Sequence, residues 1–363
     1  MKCTAAADPT TKDDGPWWRP GACRRRATAH VNTSYERIMP NRRTMTIIAL
    51  AGLMLLFGLG PGQTEDYPSR PVRLIITTPA GSLVDVLGRL FAQELSDRLG
   101  QTIVVDNRPG AMTQIGADAL NRASPDGYTL MIATSEATML PFLKRSYHYD
   151  PVKDFTPIAL LATSWTVFAV NPKVPANTLA ELIAYSKANP GRVRYGSGGV
   201  GGALHIAVEM LRLKTGADLV HVPYRGGGQA ASDAVAGQIE MVPLGLASAR
   251  VAEGGALRIL AQTGPRRHPM FADVPTTAEL GMPDVRMDTW FGLLAPPHTP
   301  EPIVARLVRE SDAVVNQGAF REKLFRIGCD AAWMPPTEFG IFMRDDAKKW
   351  EKLIPAMGIP MVD

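Results

Sequence analysis

Residues 73–99, RLIITTPAGSLVDVLGRLFAQELSDRL, constrain the fold of this chain more than any other stretch. A short apolar run, Leu74 to Ile76, gives way at Pro79-Ala80-Gly81-Ser82 to a helical pattern in which Leu87, Leu90, Phe91, Leu95 and Leu99 share one stripe. A strand that turns through small residues into a helix leaves backbone N–H groups unpaired at the helix start. They point the same way, and the helix dipole adds partial positive charge. That arrangement suits a carboxylate or phosphate without any basic side chain. The spacing also supports a local role. Ser82 and Asp85 stand in the S-x-x-D pattern of a capping box, with Ser82 accepting from the Asp85 amide and Asp85 bonding back to Ser82. The two roles are compatible if the caps leave the Ala80 and Gly81 amides for an anion.

Residues 1–62 read as a leader. They are Arg-rich up to Arg43, then run through a short apolar core at about 45–60 to small residues at Gly60 and Gly62, the pattern of a secretory signal peptide. The mature chain is expected to begin near Gln63, with Met39 or Met45 as alternative initiators. A membrane anchor is the competing reading, and a span of about 20 residues would need a longer apolar core. Arg42-Arg43 leaves twin-arginine export open.

Removing the leader changes the charge argument. The whole chain carries a net +4, but residues 63–363 hold 30 basic and 31 acidic side chains. The basic character belongs to the leader, so no nucleic-acid surface is indicated. Cys3 and Cys23 leave with it, and Cys329 alone cannot form an internal disulfide. About 300 remaining residues suffice for one large or two medium domains.

Strand-like and helical runs alternate through the remainder, predicting an α/β fold with largely parallel sheets. Strands are expected at 74–78, 103–105, 129–133, 158–162, 166–170, 194–196, 219–222, 241–243, 257–262 and 290–295. Helices are expected at 83–99, 115–122, 179–189, 203–215, 229–236, 302–315, 318–327 and 336–357. The helix-free passages at 158–170 and 287–295 suit a two-domain clam whose hinge the chain crosses twice. Its parts would be 63–165 with 291–363, and 166–290. A single doubly wound domain is the alternative.

Two further strand-to-helix turns are glycine-rich: Gly196-Ser197-Gly198-Gly199-Val200-Gly201-Gly202, and Arg225-Gly226-Gly227-Gly228 after His221-Val222-Pro223-Tyr224. Three such junctions place donor-rich helix starts where open α/β sheets bind ligands. Gly196-x-Gly198-x-x-Gly201 also matches a dinucleotide fingerprint, which requires an acidic residue ending the next strand. The only candidate, Asp218, sits at that strand's beginning. No G-x-S-x-G elbow, Gly-Lys-Ser/Thr loop or metal-ligand spacing accompanies the turns, so no cofactor or metal is expected. His205 in its helix's first turn has the chemistry to donate to a ligand oxygen, and Arg225 to clamp a carboxylate. Each also fits an ordinary packing or solvated role. Cys329 reads as a small core residue.

The blocks YPSRPVRLI (67–75), PAG…D (79–85), DNRPGA (106–111), SPDGYTL (124–130), YDPVKDFTPIALLA (149–162), HVPYRG (221–226), DVPTTAELGMP (273–283) and TWFGLLAPP (289–297) resemble the Bug/TctC family. These are periplasmic substrate-binding proteins of tripartite tricarboxylate transporters, and the resemblance is collinear over about residues 65–360. It implies a two-domain periplasmic-binding-protein clam (type II-like) that is not an enzyme. Such a protein binds a small carboxylate in the interdomain cleft, partly through ordered waters, and hands it to membrane permease subunits or reports to a sensor. It implies a periplasmic, monomeric protein with ligand contacts at Pro79, Ala80, Gly81, Ser82 and Asp85. Helix-start contacts would come from Ser197, Gly198, Gly201 and His205, and the residues themselves add Thr134, Ser135, Glu136, Tyr224 and Arg225 as candidates.

The chain departs from the family pattern in three places. Ser82 replaces a usual glycine, and Leu83-Val84 replace small polar residues. Met112-Thr113-Gln114 stand where Gly-Gly-Asn is usual, and Glu136 stands where glycine is frequent. Together these suggest a more crowded cleft, in which Glu136 pairs with a ligand ammonium, excludes a second carboxylate, or is simply solvated. A dinucleotide-dependent oxidoreductase using the Gly196 turn and a sensor-coupled receptor are the competing functions.

Overall fold

In the computed structural model, residues 67–363 are described and lie in one compact unit. The leader reading, with Cys3, Cys23, Met39 and Met45, falls outside them. The chain begins with Val72–Ile76 (β1), Leu83–Leu99 (α1), Ile103–Asn107 (β2), Gln114–Asn121 (α2) and Thr129–Thr134 (β3). Glu136–Leu143 (α3), Thr156–Val170 (β4) and Leu179–Ala188 (α4) follow. A second alternating run comprises Val193–Ser197 (β5), Ala203–Thr215 (α5), Leu219–Pro223 (β6), Gly227–Ala236 (α6) and Met241–Gly245 (β7). The chain closes with Arg258–Gln262 (β8), Asp288–Ala295 (β9), Glu301–Val315 (α7), Gly318–Arg326 (α8), Asp330–Met334 (β10) and Pro336–Ala356 (α9).

The sheet is mixed, in the order β2-β1-β3-β9-β4-β7-β5-β6, with β8 and β10 also pairing β4. Its two ends repeat one device. β1 is the central strand of the parallel set β2-β1-β3, and β5 is central in the parallel set β6-β5-β7. In each set the chain leaves the central strand to one side and later returns on the other. The crevice at such a switch point is where α/β sheets bind ligands.

Strand β4 joins the sets. Its first part lies antiparallel to β9, ending at the pair Trp165↔Asp288. From Thr166, which pairs Gly245, it runs instead with β7 and β8. Two strands were expected here. The polar residues Thr163 and Ser164 interrupt the apolar pattern, but the backbone stays extended, and the buried Ser164 hydroxyl is satisfied by the Gly328 carbonyl at 2.7 Å.

The core follows strand alternation. Leu74 and Ile76 face one buried cluster with Leu87, Phe91 and Leu95 of α1, while Ile75 faces another with Ala117 and Leu120 of α2. Burying each large apolar side chain of the α1 stripe contributes about 1.5–3 kcal/mol. Beyond the partner change, Phe168 and Val170 face one cluster and Val167 and Ala169 the other. Helix α9 contributes to both ends, Phe339 and Met343 to one cluster and Trp350 and Ile354 to another. Cys329 is a buried member of the α1 cluster, and burial pushes its thiol pKa up.

Two elements were not expected. α3 has a mostly buried sequence, EATMLPFL, with Pro141 inside it and no amphipathic stripe to announce a helix. β10 pairs β4 irregularly, with a register shift between Ala331 and Met334.

Candidate functional site

The helix starts at the C-terminal ends of β1, β3, β5 and β6 hold the residues singled out in the sequence. At the first, Ser82 is the N-cap of α1 in extended conformation and accepts from the Asp85 amide at 3.2 Å. The other half of the capping box differs from expectation. The buried Asp85 carboxylate takes the Gly81 amide at 2.9 Å rather than that of Ser82. It also accepts from Arg89 Nε at 3.0 Å and from Asn107 Nδ2 at 2.8 Å. Burial alone would raise its pKa, but the hydrogen bonds from Arg89, Gly81 and Asn107 outweigh that and hold it below the usual carboxylate range.

The Gly81 amide is therefore committed to Asp85, and the sequence expectation that it stays free for an anion is corrected. Asp85 itself is fully engaged in shaping the turn. The amides of Ala80, Leu83 and Val84 make no hydrogen bond to protein among the described residues. Pro79, Ala80 and Gly81 are exposed and Ser82 half-buried. Gly81 has φ +83°, which only glycine adopts readily, whereas Ser82 at φ −69° needs no glycine. A serine at 82 is thus accommodated without strain.

At the end of β3, Thr134 and Ser135 are buried, and the Ser135 hydroxyl has no hydrogen-bond partner among the described residues. Glu136 is half-buried in the first turn of α3, accepts from the Thr134 hydroxyl, and has no ion-pair partner among the described residues.

The turn after β5 has no side-chain N-cap, Gly202 occupying that position. It is held from inside. Ser197 Oγ lies 2.7 Å from His221 Nε2 and 3.1 Å from the Gly199 carbonyl. The buried His205 accepts from the Gly201 amide through Nδ1 at 3.1 Å, and its Nε2 stands 3.8 Å from Glu209 Oε1. Direct donation from His205 to a ligand would have to come from that inward-facing nitrogen. Gly198 is exposed, and an added Cβ there would come within 3.2 Å of the Gly227 amide, so the β5 and β6 turns touch.

After β6, the Tyr224 hydroxyl donates to Asp233 at 2.9 Å, turned toward its own helix α6, while Arg225 is exposed. Helix α6, like α3 and α5, starts without a side-chain cap.

One contact joins the two sets of turns. Gly201 lies against Leu143 of α3 and Met112, each 3.4 Å from where its Cβ would stand. Met112 belongs to three consecutive non-glycine residues with positive φ: Ala111 (48°), Met112 (53°) and Thr113 (72°). Sequence reasoning flagged Met112 as a departure but missed its reach. It also missed Arg89, Asn107 and His221 as turn-holders, although Asn107 and His221 lie in the DNRPGA and HVPYRG blocks.

The dinucleotide reading fails on register. Asp218 precedes β6 and accepts from the Gly191 amide at 2.7 Å, at the end of the strand away from the glycine turn. Surface grooves of about 600 Å³ along α1 and β2 and about 700 Å³ beside α8 contain none of the sequence-predicted site residues.

Comparison with known proteins then decides the family. Residues 87–359 match the tripartite tricarboxylate transporter family receptor, TctC. This chain belongs to that family. Protein BugT of Bordetella pertussis is 34% identical over 317 residues, covering 86% of this chain and 95% of BugT. A solved periplasmic transporter is 38% identical, with TM-score 0.73 over 81% of this chain and 99% of its own. Rpa4515 of R. palustris, solved with adipate, is 31% identical, with TM-score 0.74 over 82% of this chain and all of its own. TctC receptors are periplasmic solute-binding proteins of α/β fold, not enzymes, and they bind small carboxylates for membrane transporter components.

Proposed function

We propose that this receptor captures a small carboxylate in a cleft between its two strand sets and passes it to the membrane subunits of a tripartite transporter. The observation that carries this reading is topological. α1 leaves β1 and α5 leaves β5 at equivalent switch points, each with helix-start amides (Leu83 and Val84; Ala203 and Leu204) that have no partner among the described residues, and Met112 and Leu143 touch Gly201 between them. Amides at helix starts bind anions without a basic side chain. The likeness to Rpa4515 with adipate supports a carboxylate as ligand.

The division into 63–165 with 291–363, and 166–290, is supported by the change of partners in β4 between Trp165 and Thr166. Each half-site binds weakly alone, so closure follows from ligand contacts made to both at once. The leader pattern supports export to the periplasm.

Glu136 sharpens the ligand class. Facing the cleft, a half-buried carboxylate with no cationic partner among the described residues repels a second ligand carboxylate and favours a neutral or ammonium-bearing distal end. Thermal-shift measurements over mono-, di- and tricarboxylates and amino acids, with dinucleotides as control, test the reading. A shift with at least one carboxylate class and none with dinucleotides is expected, and the reverse would sink it. Calorimetry then compares dicarboxylate binding by wild type and Glu136→Gln. The substitution should tighten binding by several-fold, and unchanged tight binding would remove Glu136 from the specificity argument.

A further inference from the structure

The β5–α5 turn is fastened by an uncharged aromatic stack. The His205 and His221 rings lie 4.1 Å apart, and Tyr195 stacks on His221 at 4.9 Å. Because the Gly201 amide donates to His205 Nδ1, that nitrogen carries no proton, and the neutral ring holds its proton on Nε2. We infer that His205 and His221 are positioning residues that keep the turn in its ligand-ready shape as neutral imidazoles, and that acid, by protonating His205, frees Gly201 and weakens ligand binding. The ligand part of this inference rests on the proposed carboxylate function.

The groups facing the pair are few. On β5, Tyr195 donates its hydroxyl to Glu209. On α5, Glu209 is buried and accepts from Arg212 at 2.7 Å, so the one carboxylate near the rings is already engaged twice. On β6 the only such group is His221 itself, bound to Ser197 in the turn. Ala356 at the end of α9 and Met357 after it line a groove with Glu209 and Arg212 and bear no charge, while Asp218, before β6, lines the same groove and acts on Arg212. Burial first, and then His221, push the His205 pKa down to about 4, against the opposing attraction of Glu209. Burial also lowers that of His221.

A protonated His205 would set an Nδ1–H against the Gly201 N–H, two donors at hydrogen-bond distance. One of them has to move. The turn has no side-chain cap to hold it in place, since Gly202 is the N-cap. The His221–Ser197 contact tolerates either protonation state, because the serine hydroxyl both donates and accepts. The acid-sensitive link is therefore Gly201–His205.

The test uses His205→Asn, whose Oδ1 can accept from Gly201 and does not titrate, beside His205→Phe, which removes the acceptor. Without ligand, ¹⁵N NMR at about pH 7 should show His205 Nδ1 unprotonated. The Gly201 amide should move with a midpoint near 4 in the wild type and stay still in His205→Asn. In the second arm, adipate affinity is measured by calorimetry for wild type and His205→Asn at each pH, so that protonation of adipate cancels in the ratio. The ratio should be near one at about pH 7 and fall by up to about tenfold per pH unit below the midpoint. A proton on Nδ1 at neutral pH, a Gly201 amide indifferent to the His205 titration, or a constant affinity ratio would each overturn the inference. If adipate does not bind at all, the NMR arm still decides it, and the failure belongs to the carboxylate reading alone.

Discussion

The β1–α1 and β5–α5 turns occupy equivalent places in their strand sets, yet they are held by opposite chemistry. The first is clamped by an ionised carboxylate. Asp85 draws in Gly81, Arg89 and Asn107, and Ser82 caps the helix. The second has glycine where a cap would stand, and buried neutral imidazoles hold it from behind. A donor-rich helix start is thus a backbone property that can be supported by a buried carboxylate with its cationic partner or by neutral rings. The difference fixes how each turn responds to substitution and acid.

The largest effects should separate the two. Asp85→Ala removes the shared acceptor of the Gly81 amide, Arg89 and Asn107, and should cost about 3 kcal/mol of stability in urea unfolding. His205→Asn keeps its acceptor and should cost under about 1 kcal/mol at neutral pH. Equal costs would erase the contrast.

Acid should distinguish them next. The His205 pKa is lowered on folding, so the unfolded chain takes up protons first as pH falls from about 6.5 toward about 4. Stability falls across that window by up to a few kcal/mol through His205, and His205→Asn removes that share while leaving the contribution of His221, also lowered by burial. The Asp85 pKa is also lowered, so its stabilisation is full above about pH 4 and disappears as pH falls through its folded value. Urea titrations of both variants from neutral to acid pH give the two windows separately.

Met112→Gly is a subtler probe. Glycine relieves a φ of +53° worth roughly 1–2 kcal/mol but loses the contact on Gly201. The unfolding midpoint should barely move while affinity shifts toward bulkier carboxylates in a chain-length series. Ser82→Ala removes an N-cap worth about 1 kcal/mol, visible in urea unfolding without a change in the acid windows or in ligand choice.

Much of this frame was legible in the sequence. The α1 and α5 boundaries follow from their stripes and glycine ends, Gly100 and Gly216, both left-handed C-caps. The glycine turns were legible as helix starts because small residues mark junctions. Helix α3 was not, since a helix buried nearly all round shows no period. The inner supports were hidden for another reason. Whether Asp85 bonds to Gly81 or Ser82, and whether His205 faces a ligand or its own turn, depends on side-chain direction rather than spacing. The Met112 departure was visible, but its meaning came from three positive φ values, which explain why glycines are usual there in the resemblance.

In the proposed site a ligand carboxylate sits on helix-start amides from both strand sets. Amide NMR shifts on titration with adipate, or with the tightest carboxylate of the thermal-shift screen, test it most directly. The largest shifts should fall together on Leu83, Val84 and residues 202–204. Shifts confined to one turn, or centred on the grooves beside α1 and α8, would contradict it.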